Sequence, residues 1–281
     1  MFFKIFSPAK LNLYLNVIGK YPDSYHRIES VFCRIDFSDT IYIKEIKKGL
    51  KVKTLNYRIS QKNNLVFKIC KALKERFKIK KGLEIVIDKK IPLKSGLGGA
   101  ASDAASVLLF LNKFWRLNLK IQELVDFSKK FGKDIPFFLY EKSYALVEGK
   151  GEKVTPLEIN KKYKFLLALS KKGLSTQKVF SECENLWLTK DLPDINIFIY
   201  LLKEGIINLL KDYYFNSLER IAQTLKPDIL KMKDYLLKKG FEFVGMSGSG
   251  PSLFCIINSA KQKHFCFKSF KDWFFVEAQV F

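Results

Sequence analysis

The sequence predicts an α+β protein with two lobes and a cleft between them. Strand-like and helix-like segments alternate irregularly along the 281 residues, without an internal repeat or a long linker. A boundary near Thr155 and Pro156 divides the chain into an N-terminal lobe of residues 1–155 and a C-terminal lobe of residues 156–281. We expect ligands to bind in the cleft, because binding sites form preferentially between domains.

The first half contains segments in which apolar and polar side chains alternate, which is typical of an antiparallel sheet with one solvated face. Strands are predicted over residues 11–17, 30–37, 40–46 and 83–88. Helices are predicted over residues 64–77, 102–112 and 122–131, the last ending at Gly132. The helix over 102–112 is apolar almost all round, so we expect it to be buried.

The second half begins with a strand predicted over residues 163–170. Four helices follow, over residues 177–187, 195–210, 218–224 and 229–239, and then a strand over 252–258, a last helix and a last strand. The apolar stretch 195–210 contains Lys203 and Glu204, so the chain has no uninterrupted apolar run of membrane-spanning length. The N-terminal segment is too short and too interrupted for a signal peptide, so we expect a cytoplasmic protein.

The composition is that of an ordinary globular protein, with 48% hydrophobic residues. The net charge of +22 suggests nucleic-acid binding, but the lysines are spread over the whole chain without a basic tail. We therefore interpret pairs such as Lys89-Lys90 as solvated surface residues and expect neither a specific nucleic-acid partner nor a membrane. The two histidines, His26 and His264, are too few for a histidine metal cluster.

The cysteines are odd in number, and no two of them have C-x-x-C spacing. We interpret them as small buried hydrophobic residues in a reducing compartment. They are Cys33, Cys70, Cys183, Cys255 and Cys266.

The segment 92–105 (PLKSGLGGAASDAA) is the most informative part of the chain. Three glycines, Gly96, Gly98 and Gly99, crowd a turn that leads directly into a predicted helix. Glycine allows a ligand to approach the backbone amides closely. The converging amides and the partial positive charge at a helix N-terminus suit phosphate. The segment therefore predicts a loop that holds the phosphates of a nucleotide.

Other interpretations of this loop are weaker. A P-loop requires Gly-Lys-Ser/Thr, whereas Gly99 is followed by two alanines. The dinucleotide pattern G-x-G-x-x-A is present, but the expected acidic residue at a strand end is missing, since Glu123 lies in a helix-like segment. A tight strand-to-helix turn without a ligand explains one or two of the glycines but not all three.

Three shorter segments have alternative interpretations. Lys10 stands at the entry to an alternating strand and by itself is a surface charge. Asp134 follows a helix end and precedes a proline, as the N-cap of a short helix does. Residues 245–251 (GMSGSGP) form either a hairpin-like turn or a wall of the cleft whose backbone amides contact a ligand.

Taken together, four segments in this order resemble the GHMP kinases: residues 8–12 (PAKLN), 92–102, 132–136 (GKDIP) and 246–250 (MSGSG). The pair Tyr25-His26 resembles the members that act on 4-diphosphocytidyl-2-C-methyl-D-erythritol. The resemblance implies a two-lobed kinase, with ATP bound by the N-terminal lobe. It implies Mg²⁺-dependent phosphorylation of the substrate's 2-hydroxyl, in the non-mevalonate isoprenoid pathway.

The resemblance also implies residue roles. Asp134 matches the catalytic aspartate, which accepts the hydroxyl proton or holds the hydroxyl in line, and Lys10 matches the lysine beside it. The implied ATP-binding residues are Pro92, Leu93, Lys94, Ser95, Gly96, Leu97, Gly98, Gly99, Ala100, Ala101, Ser102 and, at the adenine, Asn64. The implied substrate-binding residues are Asn12, Tyr25, His26, Phe180, Ser247, Gly248, Ser249 and Gly250, with Tyr25, His26 and Phe180 around the cytosine.

The sequence departs from the family pattern at three positions. Ala100 and Ala101 replace a glycine and a serine, so a hydroxyl suited to phosphate or to a magnesium-bound water is missing, and we expect an altered ATP affinity. Ser24 stands where glycine is usual. Two alternatives stay open: another small-molecule GHMP kinase, of homoserine or mevalonate type, and a basic nucleic-acid-binding module. The Mg²⁺ ligands and the oligomeric state are left open.

Overall fold

The structure, a computed structural model, describes residues 2–185, 192–258 and 270–281. The chain groups into two compact units that alternate along the sequence. Unit 1 consists of Met1–Ala9, Phe37–Ile91 and Gly98–Glu141, and unit 2 consists of Lys10–Asp36, Pro92–Leu97 and Lys142–Phe281. The division into lobes at residues 155 and 156 stays a prediction.

Two long strands run through both units, β1 (Phe3–Lys20) and β2 (His26–Ile46). In unit 1, β2 pairs antiparallel with β4 (Gly82–Asp88), with Thr40 opposite Asp88. The short strand β3 (Leu50–Thr54) lies parallel to β4 on its other side. The predicted strands 40–46 and 83–88 are therefore confirmed, and apolar residues on alternate positions face the core as expected.

Unit 1 contains four helices and a single turn of 3-10 helix at Gln61–Asn63. The helices are α1 (Leu65–Arg76), α2 (Gly99–Phe114), α3 (Ile121–Ser128) and α4 (Ile135–Leu139). Helix α2 is buried along most of its length, as predicted, and it starts three residues earlier than the pattern indicated.

In unit 2, β2 pairs antiparallel with β5 (Tyr144–Gly149), which pairs with β6 (Lys153–Pro156). A second, antiparallel sheet has the order β10-β7-β9-β8. Its strands are β7 (Lys164–Ser170), β8 (Val244–Met246), β9 (Leu253–Ile256) and β10 (Trp273–Gln279). The predicted strands over 163–170 and 252–258 are confirmed to within two residues.

Within the described residues of unit 2, five helices accompany these strands, and a 3-10 turn at Glu182–Asn185 follows the first of them. They are α5 (Thr176–Ser181), α6 (Ile195–Glu204), α7 (Ile207–Tyr213), α8 (Glu219–Leu225) and α9 (Asp228–Lys238). Helices α8 and α9 pack on the β10-β7-β9-β8 sheet through a shared apolar cluster.

Three helix predictions are wrong in their extent. The α-helix predicted over 177–187 ends at Ser181, and a 3-10 turn follows at Glu182–Asn185. The helix predicted over 195–210 is two helices, because Gly205 adopts a left-handed φ of 80° and its amide closes on the carbonyl of Leu201 at 2.9 Å. Helix α3 ends at Ser128 instead of residue 131, because the amide of Phe131 turns back to the Ser128 carbonyl at 2.9 Å.

Some predictions fall beyond the described residues: the end of the helix over 177–187, the last helix, Cys266 and His264. The four cysteines that the structure describes, Cys33, Cys70, Cys183 and Cys255, are buried, and burial raises the thiol pKa of each. Among the residues that the structure describes, no helix has both the length and the apolar content to cross a bilayer.

Candidate active site

The glycine turn of unit 2, residues 245–251 between β8 and β9, is closed by its own backbone. The amide of Ser247 donates to the carbonyl of Ser252 at 2.9 Å, and the amide of Gly250 donates to the carbonyl of Ser247 at 3.0 Å. The side chain of Ser247 is fully buried. The turn is therefore a rigid element rather than a loose hairpin connection.

Strand β1 brings Lys10 and Asn12 to this turn. The amide of Asn12 donates to Ser247 Oγ at 3.1 Å, and Lys10 Nζ donates to Asn12 Oδ1. A Cβ atom at Gly248 would lie 2.9 Å from Asn12 Oδ1 and 3.6 Å from Lys10 Nζ. Gly248 also has a left-handed φ of 58°, which favours glycine, so the backbone of the turn lies close to both Lys10 and Asn12.

Lys10 is buried, with 4% of its surface exposed. Its ammonium lies 4.4 Å from the ring centroid of Phe32, within cation–π range. The interpretation of Lys10 as a surface charge is wrong, because the side chain is buried against the Phe32 ring and Asn12 Oδ1.

Residues 92–97 pack against the same turn. Ser247 Oγ donates to the Gly96 carbonyl at 3.0 Å, and the Lys10 amide donates to the Leu97 carbonyl at 3.0 Å. Gly96 has a φ of 81°, and a Cβ there would overlap the carbonyl oxygen of Ser247. The structure thus brings the first part of the predicted ATP loop together with Lys10, Asn12 and the glycine turn.

Two of the residues predicted around cytosine are in contact. The rings of His26 and Phe180 have centroids 4.9 Å apart at an angle of 41°. At the start of the same helix, α5, Thr176 Oγ1 hydrogen-bonds Ser249 Oγ at 2.9 Å, which ties this helix to the glycine turn. The structure places Phe180 beside His26, and the role of the two rings at the cytosine stays a prediction.

Tyr25 has an exposed ring, with 51% of its surface accessible, at the end of the turn between β1 and β2. Ser24 has a φ of 68°, the left-handed conformation in which glycine is favoured. The amide of Tyr21 donates to the Tyr25 carbonyl at 2.7 Å and closes the turn. Lys150 pairs with Asp23 and lies 5.2 Å from the Tyr25 ring centroid.

The second part of the predicted ATP loop belongs to unit 1, where it forms the start of α2. Gly98 is the N-cap residue with a φ of 70°, and no side chain caps the first turn. The first intrahelical bond joins the Ser102 amide to the Gly98 carbonyl at 2.9 Å. The amides before Ser102 have no partner of this kind, which is the arrangement that binds phosphate.

A buried ion-pair network lies beside this helix start. Lys89 Nζ contacts Asp103 Oδ2 at 2.8 Å and also pairs with Asp39. Asp39 Oδ1 accepts the amides of Lys90 at 2.6 Å and Ile91 at 2.8 Å. The interpretation of Lys89 as a solvated surface residue is wrong, because both carboxylates reach it inside unit 1.

The charged side chains of this network change one another's pKa. Burial, followed by the negative charge of Asp103, raises the pKa of Asp39 to about 7. Burial opposes the charge of Lys89, but the two carboxylates outweigh it and raise the lysine pKa. Asp103 is therefore engaged with Lys89. Ser102 Oγ accepts a hydrogen bond from Ser7 Oγ at 2.9 Å, and the side chains of Ser7 and Ser102 are both buried.

Two further predicted residues lie in unit 1. Asn64 is buried and caps α1, accepting the amide of Val66 at 2.9 Å, while its role at the adenine stays a prediction. Asp134 occupies the N-cap position of α4, but its side chain makes no capping hydrogen bond. The carboxylate is half-buried, so the capping interpretation accounts for its position and not for its side chain.

Sequence reasoning missed the residues that hold the glycine turn of unit 2. Asn216 Nδ2 donates to the carbonyls of Met246 at 2.8 Å and Gly248 at 3.0 Å, and the Met246 amide donates to Tyr214 OH at 2.7 Å. The only local signal is a polar residue between the aromatic end of α7 and the start of α8, which by itself indicates a helix cap.

Comparison with known proteins agrees with this arrangement. The GHMP kinases N terminal domain matches residues 64–142, and the GHMP kinases C terminal domain matches residues 198–270. The chain belongs to the GHMP kinase family, which confirms the resemblance seen in the sequence.

Two relatives that align over most of the chain carry the name of the same enzyme. The 4-diphosphocytidyl-2-C-methyl-D-erythritol kinase of Thermodesulfovibrio yellowstonii is 36% identical, over 94% of this chain and 93% of that protein. The enzyme of the same name from Bacillus velezensis is 35% identical, over 89% of this chain and 86% of that protein.

Solved structures show the same fold. A crystal structure of 4-(cytidine 5'-diphospho)-2C-methyl-D-erythritol kinase superposes with a TM-score of 0.80 at 25% identity, covering 99% of each chain. A homoserine kinase from Cytophaga hutchinsonii, at 19% identity, superposes with a TM-score of 0.67 over 93% of this chain and 87% of that chain.

Proposed function

We propose that the protein transfers the γ-phosphoryl group of ATP to the 2-hydroxyl of 4-diphosphocytidyl-2-C-methyl-D-erythritol. The observation that carries the proposal is the buried Lys10, bonded to Asn12 and enclosed by the glycine turn. The names of the relatives, which align over most of the chain, support this alcohol as the substrate.

Lys10 supplies positive charge where negative charge develops during phosphoryl transfer. An ammonium held away from water, with its position fixed by Phe32 and Asn12, interacts more strongly with an oxyanion than an exposed lysine does. Phosphoryl transfer depends mainly on positioning and electrostatics, so a fixed cation of this kind is a sufficient contribution from one side chain.

Asp134 is assigned to orient the hydroxyl group and receive its proton. Asp134 is half-buried at the start of α4, and it matches the catalytic aspartate of the family pattern. A general base of this type contributes about 10²–10⁴-fold to a rate. Pro136, two residues after Asp134, restricts the backbone at the start of the short helix.

The ATP phosphates are assigned to the start of α2 and to residues 92–97. The uncapped amides after Gly98 fit an anionic group, and the glycines at 96 and 98 leave the backbone open to close approach. Ala101 contributes an amide but no hydroxyl, and we propose that this lowers the affinity for the phosphates.

Mg²⁺ fits this assignment as an ion bound with the phosphates of the nucleotide. Within residues 2–185, 192–258 and 270–281 no three His, Cys, Asp or Glu side chains cluster as a metal cage. Mg²⁺ commonly keeps several waters and binds substrate phosphates, and when bound it neutralises charge on them. We assign it no protein ligand.

The cytosine is assigned to Tyr25, His26 and Phe180. The contact between His26 and Phe180 provides an aromatic surface with a polar edge, and the exposed Tyr25 ring provides a second stacking surface. Stacking on both faces and a hydrogen bond from an imidazole suit a pyrimidine base.

The test is ADP release by the purified protein with this alcohol, ATP and Mg²⁺. We expect substrate-dependent turnover that falls about 10²–10⁴-fold in Lys10→Ala and Asp134→Ala. The matched controls are Lys71→Ala and Asp126→Ala, at exposed positions of α1 and α3, which should retain wild-type rates.

Other results would replace the proposal. Turnover of homoserine or mevalonate but not of this alcohol would keep the family and change the substrate. No turnover of any of the three, together with steeply salt-dependent binding of DNA or RNA, would support the nucleic-acid alternative.

A further inference from the structure

Asn216 lies between α7 and α8 and is not among the residues that the resemblance implies for ATP or substrate. It is buried, with 8% of its surface exposed. Both of its side-chain donor hydrogens are used, one on the Met246 carbonyl and one on the Gly248 carbonyl, and its Oδ1 accepts the Leu218 amide at 2.9 Å. The amide side chain therefore holds two points of the glycine turn at once.

The backbone around Asn216 is attached to β1, the strand that carries Lys10 and Asn12. The amide of Leu15 donates to the Phe215 carbonyl at 2.9 Å, and the amide of Ser217 donates to the Leu15 carbonyl at 3.0 Å. Asn216 itself forms a parallel bridge with Leu15. The residue thus joins β1 to the glycine turn.

Tyr214 reinforces this connection from two residues away. Its hydroxyl accepts the Met246 amide at 2.7 Å and donates to Glu219 Oε2 at 2.6 Å, while Lys233 pairs with Glu219. Burial and the charge of Glu219 raise the pKa of Tyr214, so the phenol keeps its proton. Met246 is consequently held at both its amide and its carbonyl.

We propose that Asn216 is a positioning residue for phosphoryl transfer, which holds Gly248 at the distance that Lys10 and Asn12 require. The inference rests on the proposed function. A Cβ at Gly248 would lie 2.9 Å from Asn12 Oδ1 and 3.6 Å from Lys10 Nζ, so the turn lies directly against this pair. A displacement of about 1 Å in such a group lowers a rate by about 100-fold.

Only an amide satisfies this position. Two carbonyl oxygens need two donors, and the Leu218 amide needs an acceptor, so Asn216 is complementary to all three. In Asn216→Asp an ionised carboxylate would face the Met246 and Gly248 carbonyls and repel the turn, while the volume of the side chain stays the same.

The experiment compares Asn216→Asp with a matched variant, Asn112→Asp. Asn112 in unit 1 also closes a turn with its amide, donating to the Leu119 carbonyl at 3.0 Å and accepting the Leu119 amide at 3.0 Å. ADP release with 4-diphosphocytidyl-2-C-methyl-D-erythritol is measured well below the Tm of each variant. We expect kcat to fall about 100-fold in Asn216→Asp alone, with a smaller change in KM for ATP.

A pH profile separates positioning from general destabilisation. Protonation of the introduced carboxyl restores one donor, so the kcat of Asn216→Asp relative to wild type should rise as the pH is lowered from 8 to 6. Tyr214→Phe, which removes the acceptor of the Met246 amide, should lower kcat by a smaller factor. If Asn216→Asp does not fold, Asn216→Ser, which keeps one donor, should show the same loss of kcat.

Each outcome decides a different question. An Asn216→Asp enzyme with wild-type kcat, or a loss equal to that of Asn112→Asp, would overturn the inference alone. A wild-type protein that does not turn over this alcohol would overturn the proposed function and this inference with it.

Discussion

The two glycine-rich turns of this protein are held in place by different means. At the start of α2 in unit 1, a buried lysine and two buried carboxylates, Lys89 with Asp39 and Asp103, lie against the backbone. At the turn of residues 245–251 in unit 2, two neutral side chains, Tyr214 and Asn216, hold the backbone through hydrogen bonds.

The difference teaches how each turn responds to change. Removing one member of a buried charge network leaves an uncompensated charge, which costs about 3–5 kcal/mol. Removing one neutral partner leaves an unsatisfied group, which costs about 1–3 kcal/mol. The turn in unit 1 should therefore be sensitive to charge and pH, and the turn in unit 2 should be sensitive to shape and donor number.

The largest effect is expected from Lys89→Met. The substitution leaves Asp39 and Asp103 buried without a cation, so the free energy of unfolding should fall by about 3–5 kcal/mol in urea denaturation. Lys90→Met, at the exposed neighbouring position, is the control and should change stability by less than about 0.5 kcal/mol. Equal losses in the two variants would show that the network does not stabilise unit 1.

The next effect is expected from Gly96→Ala in unit 2. Its Cβ would overlap the Ser247 carbonyl at a left-handed backbone position, so we expect a loss of about 2–4 kcal/mol and a lower kcat/KM for ATP. Gly240→Ala is the control, because Gly240 has a similar φ of 86° but open space around it. It should lose only about 1–2 kcal/mol. Equal losses of stability in Gly96→Ala and Gly240→Ala would show that the overlap with the Ser247 carbonyl does not destabilise the protein.

A smaller effect is expected from pH. The pKa of Asp39 is about 7 in the folded protein and near its ordinary value of 3.8 in the unfolded chain. A raised carboxyl pKa contributes stability that is present below the unfolded value and is lost as the pH rises through the folded value. Unfolding free energies measured between pH 5 and pH 8 should therefore decrease with pH.

Asp39→Asn supplies the control for this pH dependence, because it removes the titrating carboxyl and should flatten the decrease. The turn of residues 245–251 is held by neutral side chains, so Asn216→Ser should not alter the pH dependence. Its free energy of unfolding should decrease with pH as steeply as that of the wild type. A wild-type stability that rises over this range would contradict the charge network as the origin of the pH dependence.

Local patterns were sufficient for most elements. The apolar spacing of α1 and the alternation in β2 depend on neighbouring residues. Helix α1 was predicted to within one residue at each end, and the two segments predicted as strands over 30–37 and 40–46 both lie in the single strand β2. The pattern failed at Gly205, where an amphipathic spacing continues across a helix end that the left-handed backbone of one glycine decides. The spacing of apolar residues shows which face of a helix is apolar, but it does not show where the helix ends.

The sequence by itself determined the α+β class, the family, the two glycine turns and the identity of Lys10 as a candidate catalytic residue. Only the tertiary structure decided which polar groups meet. Asp39 and Lys89, or Asn216 and Gly248, are separated by dozens of residues, and each member alone has the appearance of a surface lysine or a helix cap. Burial of a polar side chain depends on a partner elsewhere in the chain, and local sequence carries no record of that partner.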